Sequence, residues 1–320
     1  MVSYDFCAGM AFKVKILLTG GTGMVGSAFK KVETKHTLVH VGSRQYDLTS
    51  ADDTRDMFEN ERPDAVIHLA AKVGGVKGNT DYIADFFFDN IKINANVLQA
   101  ACDFKVPKVV SLLSTCIYPD NPTYPLTENQ IHNGEPHKSN FGYAYAKRML
   151  DVQSRAIRQQ YGMKYVTVVP NNIYGINDNF DLENGHIVPA IIRKIHEAKL
   201  NNSRPVFWGT GKALREFTYS VDIARLLLWA VDNYESSSPL NIGNPDEVSI
   251  RDLVSTVQRI MNCKANVLWD DKMPEGQMKK PSSNKNFRQL NPTFEYSSLR
   301  FGLEETIAWF LKEYPNVRGV

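Results

Sequence analysis

The chain has 320 residues, of which 43% are hydrophobic and 22% charged, with a net charge of +2. That length suffices for two small domains or one large α/β unit with a sizeable core, and the balance is that of an ordinary soluble globular protein. The near-neutral charge excludes a global basic field directed at nucleic acid or a membrane surface, and no apolar run approaches the ~20 residues of a spanning helix.

Residues 1–12 show no basic start, apolar centre and small-residue cleavage site, and read as a loose tail rather than a signal peptide. Val14-Lys15-Ile16-Leu17-Leu18-Thr19 is a short apolar strand running into a glycine cluster, with helix signals from Met24 to about Glu33. Thr37 to Val41 reads as a second strand. Ser50 is placed to cap a helix through Glu61, which Pro63 stops. A third strand spans Ala65 to Leu69, and a long helix from Tyr82 to Lys105 is closed by Pro107. Val109 to Leu113 forms a fourth strand. Phe141 to Tyr161 is a helix ended by Gly162, followed by a strand from Tyr165 to Val169. Strands that are nearly continuous apolar runs, alternating with helices, predict an α/β fold with a doubly wound parallel sheet of Rossmann type.

Beyond Pro170 the rhythm loosens. Helical stretches at Ile187–Ala198, Val221–Tyr234, Ile250–Met261 and Leu303–Glu313 are separated by loops rich in Asn, Gly, Pro and Ser. The reading is a tail over 1–12, a dinucleotide-binding domain over 13–175 and a smaller, irregular α/β substrate domain over 176–320, with a segment near 218–245 returning to the first. Cys7, Cys102, Cys116 and Cys263 form no Cys-x-x-Cys pair. Zinc frameworks are thereby excluded, no metal is expected, and reduced thiols suit a cytoplasmic protein.

The loop Gly20-Gly21-Thr22-Gly23-Met24-Val25-Gly26 follows a strand and opens a helix at the head of a βαβ unit. Glycine allows the tight turn and the close approach of backbone to a pyrophosphate, so this loop is the candidate cofactor cradle. An NAD-preferring site usually places an acid at the end of the second strand, for the ribose 2′-hydroxyl. Gly42-Ser43-Arg44 stands there instead. A hydroxyl and a guanidinium suit a 2′-phosphate, which predicts NADP(H), with Arg44 as the main determinant beside Ser43.

Tyr143-Ala144-Tyr145-Ala146-Lys147 contains Tyr-x-x-x-Lys, one turn apart on one helix face, and Ser114 falls at the carboxyl end of the fourth strand, where a parallel sheet opens its ligand crevice. A free tyrosine has a pKa of ~10, and an adjacent ammonium is expected to lower it by ~1–3 units. Tyr143 can then give a proton to a carbonyl oxygen that Ser114 holds, while Lys147 supports the phenol.

With the glycine loop, this set resembles the extended short-chain dehydrogenase/reductase superfamily. Within it, Leu113-Ser114-Thr115-Cys116-Ile117-Tyr118-Pro119, Pro170-Asn171-Asn172-Ile173-Tyr174-Gly175, Asp178-Asn179-Phe180 and Gly185-His186-Ile187-Val188-Pro189 are similar to the GDP-L-fucose synthases. So are Val206-Phe207-Trp208-Gly209-Thr210-Gly211, Leu214-Arg215-Glu216-Phe217 and Gly276-Gln277-Met278-Lys279-Lys280. The likeness runs from about Lys15 to Tyr314. It implies an enzyme that epimerises C3 and C5 of GDP-4-keto-6-deoxy-D-mannose and then reduces C4 with NADPH.

By this resemblance Cys116 is the epimerisation base and His186 the acid, in place of the Asp-Glu pair that sugar-nucleotide 4,6-dehydratases carry after the Thr. A thiolate near a cation is favoured for such a role. The resemblance also adds Leu69, Ala70, Ala71, Lys147, Pro170, Asn171, Asn172, Ile173 and His186 to the cofactor contacts. It assigns Lys194, Trp208 and Arg215 to the GDP moiety, with Lys279 or Lys280 beside them, and implies a homodimer through the helices near 82–105 and 141–161. Glu275 departs from the family's usual Asp. Another NADP-linked nucleotide-sugar reductase or 4-epimerase would keep Ser114, Tyr143 and Lys147 without needing Cys116 and His186. A cofactor-sensing regulator would commonly lack the Tyr/Lys pair.

Overall fold

The computed structural model describes residues 13–273 and 277–320, apart from the side chains of Val76 and Lys77; Cys7, Glu275 and the tail lie outside them. The first half builds β1 (Lys15–Thr19), α1 (Met24–Ala28), β2 (Thr37–Val41), α2 (Ala51–Glu61), β3 (Ala65–His68), α3 (Val76–Asp81), α4 (Ile83–Asp103), β4 (Lys108–Leu112), α5 (Phe141–Tyr161) and β5 (Lys164–Val169). The second half adds β6 (Asn172–Tyr174), α6 (Ile187–Leu200), β7 (Val206–Trp208), β8 (Leu214–Tyr219), α7 (Ser220–Asn233) and β9 (Leu240–Asn241). It continues with β10 (Glu247–Ser249), α8 (Ile250–Ile260), β11 (Leu268–Asp270), α9 (Lys285–Leu290) and α10 (Leu299–Glu313).

Six strands form one sheet in the order β2-β1-β3-β4-β5-β9, and every pairing in it is parallel. Side chains alternate across each strand, so consecutive apolar residues serve opposite faces. Ile16, Leu18, Ile67, Val110 and Val168 pack on one face against Val25, Ile223, Ala224 and Leu227. Leu17, Val66 and Val109 pack on the other against Met57, Phe58, Val97, Leu98 and Leu150. A third core gathers Phe180, Ile191, Ile195, Phe207, Phe217, Leu253, Val257, Leu303 and Phe310 around the small sheets β10-β8-β6 and β11-β7. Each such buried aliphatic or aromatic side chain stabilises the fold by about 1.5–3 kcal/mol.

The local signals operate as expected where they are chemical. Ser50 accepts the Asp53 N–H at the start of α2, and Gly162 ends α5 at φ 72°. The helix expected from Met24 to Glu33 is shorter: α1 ends at Ala28 and tightens into a 3-10 turn over Phe29–Lys31. The short strands of the second half, three to six residues for β6, β7, β8, β10 and β11, carry too few residues to show a period.

The strand order reverses at β1, with β2 added on one side and β3 on the other. Open α/β sheets place their ligand crevice outside the carboxyl ends of the strands at such a switch.

Candidate active site

A cleft of about 680 Å³ opens at that position. It is lined by Gly20, Thr22, Gly23, Met24, Val25 and Gly26 after β1, by Ser43 after β2, and by Leu69, Ala70 and Ala71 after β3. Leu112, Ser114, Tyr143, Lys147, Pro170, Asn171, Asn172, Ile173 and His186 complete the same wall. Gly21 turns beneath the loop, where its N–H donates to Val41 O at 2.8 Å. Gly20 holds φ +69°, and a Cβ there would lie 2.9 Å from Ala70 N; a Cβ on Gly26 would lie 2.5 Å from Gly20 O. These two glycines let strand, loop and helix close up, and leave a backbone-lined cradle that fits a dinucleotide diphosphate. Arg44 is exposed on the turn after β2, outside the lining, and hydrogen-bonds nothing among the described residues.

The histidine at the end of β3, which the sequence reading passed over inside an apolar strand, ties the cradle to α5. Burial pushes His68 down to about 3, so its ring is neutral. Asn94 Nδ2 donates to Ala146 O at 3.2 Å, which leaves Asn94 Oδ1 to accept from His68 Nε2 at 3.0 Å. His68 Nδ1 then accepts from Thr19 Oγ1 at 2.8 Å. The relay runs from β1 through β3 and α4 to the residue beside Lys147.

Lys147 Nζ donates to Leu112 O at 2.8 Å and lies 5.9 Å from the centroid of the Tyr143 ring. The sequence reading expected this ammonium to lower the tyrosine. The opposite holds: burial raises Tyr143 well above its ordinary value and depresses Lys147 to about 8. Desolvation of the phenolate outweighs a cation that is itself desolvated and turned toward a carbonyl. Tyr143 is therefore a neutral O–H donor.

Cys116 sits in a 3-10 turn over Thr115–Ile117, its N–H donating to Ser114 Oγ at 3.4 Å. Burial raises its thiol, against the expectation of an activated thiolate, while the Ser114 hydroxyl and the charges of Lys280 and Lys147 act to lower it. Of the two adjacent lysines, Lys279 is exposed and Lys280 turns inward to face Cys116 and Arg215. The segment is fastened on both sides: Leu214 N donates to Met278 O and Leu126 N to Pro281 O, at 2.8 and 2.9 Å. Geometry thus favours Lys280 over Lys279 as the inward lysine.

Lys194 and Trp208 form a separate group at β7. Lys194 Nζ donates to Val206 O at 3.1 Å and lies 5.6 Å from the Phe207 ring centroid, and Trp208 is 59% exposed. His186 stands at the start of α6 on the cleft rim. Although the residue keeps solvent exposure, desolvation by the protein packed around it, and then the Arg318 charge, hold its imidazole below the usual histidine range. Asp178, absent from the site as read from sequence, lines the cleft with one carboxyl oxygen accepting the Asn179 N–H at 2.7 Å and Oδ2 unpartnered. Burial pushes it up to about 7.

Residues 16–243 match the NAD dependent epimerase/dehydratase family. The chain is 43% identical over 313 residues to GDP-L-fucose synthase of Dictyostelium discoideum, covering 96% of this chain and 98% of that one. It is 34% identical over 320 residues to GDP-L-fucose synthase of Escherichia coli, covering 96% and 99%. The crystal structure of a GDP-L-fucose synthetase from Naegleria fowleri bound to NADP superposes with a TM-score of 0.91 at 41% identity, over 98% of this chain and 97% of that one. With this parallel sheet, glycine cradle and Ser-Tyr-Lys wall, and with relatives matched over nearly its whole length, the chain belongs to the NAD-dependent epimerase/dehydratase family and, within it, to the GDP-L-fucose synthases.

Proposed function

We propose that this chain converts GDP-4-keto-6-deoxy-D-mannose to GDP-L-fucose, by epimerisation at C3 and C5 followed by NADPH-dependent reduction at C4. The observation that carries this reading is the convergence of Cys116 with Ser114, Tyr143 and Lys147 at the end of β4 and the start of α5. A reductase without epimerisation needs no thiol beside its carbonyl-holding serine.

The C4 ketone acidifies the protons at C3 and C5. Cys116, whose thiol burial raises while the Ser114 hydroxyl and the charges of Lys280 and Lys147 act to lower it, removes one, and His186 protonates the opposite face. Bound NADPH supplies the hydride for C4. Tyr143, already neutral, donates its hydroxyl proton to the C4 oxygen, and Ser114 holds that oxygen by a hydrogen bond. Lys147 keeps positive charge beside the oxygen that becomes an alkoxide. Arg215 and Lys280 suit the GDP diphosphate, and Lys194 and Trp208 border the nucleotide. Ser43 and Arg44 select NADP(H).

Residues 13–175, with a segment near 218–245, serve the cofactor in this reading, and most of 176–320 serves the GDP-sugar. A cytoplasmic homodimer completes it. Phe88 on α4 and Phe141, Met149 and Val152 on α5, between 39% and 59% exposed, offer an apolar face for a four-helix bundle. Among the described residues no helix is long and apolar enough to cross a membrane. Incubation with GDP-4-keto-6-deoxy-D-mannose and NADPH should yield GDP-L-fucose. A product still mannose-like at C3 and C5, or no NADPH oxidation, would overturn the proposal.

A further inference from the structure

Residues 317–319 are fastened to the rest of the fold at several points. Val317 is buried in the third core, Arg318 O accepts the Phe180 N–H at 2.8 Å, and Gly319 O accepts from Arg193 Nη1 at 2.5 Å. Gly319 holds φ +88°, where a Cβ would lie 2.3 Å from Asp181 N and Asn179 Oδ1, so only glycine fits against that turn. The effect of this tethering is to aim one side chain: Arg318 lines the main cleft and also the adjoining hollow beneath Gly21, Thr22 and Gly23.

Its guanidinium makes no hydrogen bond or ion pair among the described residues. The other cleft cations are engaged, Lys72 with Asp89 at 2.7 Å and Lys147 with Leu112 O. Asp178 stands close enough for its charge to be felt, yet no ion pair joins the two, and its Oδ2 stays unpartnered. The glycine loop offers a diphosphate only neutral N–H groups, and a dinucleotide's bridging phosphates carry charge that a planar guanidinium matches in bidentate fashion. We propose that Arg318 is a diphosphate ligand of the dinucleotide, carried to the glycine loop from the far end of the chain. The assignment rests on the cofactor reading of the cleft. The 2′-phosphate is the less fitting partner, because Ser43 lines the cleft after β2, whereas Arg318 stands between the glycine loop and His186. One consequence reaches the chemistry: a phosphate on Arg318 offsets the charge that depresses His186, and so favours the protonated imidazole that an acid needs.

The test compares dissociation constants of NADPH, NADH and ADP-ribose for the wild type, Arg318→Ala, Arg318→Lys and Arg44→Ala. Arg318→Ala should weaken all three by a similar factor of roughly 10 to 100, with Arg318→Lys losing less and the melting temperature of the cofactor-free protein unchanged. Arg44→Ala should weaken NADPH alone. Unchanged affinities in Arg318→Ala, or a loss confined to NADPH, would overturn the assignment. Wild-type protein that binds none of the three would overturn the cofactor reading itself, a distinct outcome.

Discussion

Replacing Tyr143 by Phe should separate the two halves of the reaction. The Tyr143 hydroxyl has no hydrogen-bond partner among the described residues, so its loss breaks no structural bond and leaves Lys147 on Leu112 O. The stability change should stay under about 1 kcal/mol, the value of one ordinary hydrogen bond. The kinetic loss is of another order. A positioned general acid contributes ~10²–10⁴-fold, or about 2.7–5.4 kcal/mol of barrier, and in the proposed reaction the half-buried, neutral phenol is the donor at the C4 oxygen. Cys116 and His186 stand on separate elements, the 3-10 turn after β4 and the start of α6, so proton exchange at C3 and C5 should persist. Two assays read this out: NADPH oxidation with the 4-keto sugar, and deuterium uptake from D₂O at C3 and C5 without NADPH. Oxidation within about tenfold of wild type would refute the assignment of the acid. Loss of deuterium uptake together with reduction would refute the separation of roles.

The complementary variant, Cys116→Ser, should abolish deuterium uptake at C3 and C5 while the fold and NADPH affinity are kept; retained uptake would remove Cys116 as the base. Lys147, depressed to about 8, must be an ammonium to support an alkoxide at C4. Reduction should therefore hold below that pH and fall with a single-proton slope as pH rises through it, measured as the single-turnover rate of NADPH oxidation. His68 is held at about 3 against an unfolded value near 6.5, so the unfolded chain binds the extra proton. That contribution to stability is present above pH ~6.5 and is lost as pH falls toward 3, by about 1.4 kcal/mol per unit. Urea midpoints at stepped pH should show that slope, and His68→Leu should flatten it.

What was legible in the sequence was set by local chemistry. Strand, glycine loop and helix follow one another within Lys15–Ala28, and the spacing of Gly20, Gly23 and Gly26 is a backbone requirement that any reader of the chain meets in order. The cap at Ser50 and the left-handed stop at Gly162 are of the same kind. Lys279 and Lys280 show the limit. Neighbouring residues in a loop have no period to say which faces in, and the answer came from Leu214 N and Leu126 N, more than sixty residues away, gripping the carbonyls on either side.

The electrostatic character of the cleft is not legible in the sequence for a related reason. Reading Tyr-x-x-x-Lys in isolation supplies a cation and omits the burial that opposes it, because burial comes from everything else that packs around α5. Beside Lys147, the first half supplies two uncharged groups, His68 behind the glycine loop and Tyr143 on α5. Much of the charge comes from the second half: Lys280 toward Cys116, Arg215 beside it, and Arg318 toward the glycine loop and His186. A neutral phenol suits the role proposed for Tyr143, which is to give a proton away. The proposed role of Cys116, to lose a proton, needs cations, and Lys280 and Lys147 are the two that act on it. In the proposed reaction the proton donor and the proton acceptor lie side by side, yet the acceptor draws one of its two cations from the second half of the chain and the donor draws on none.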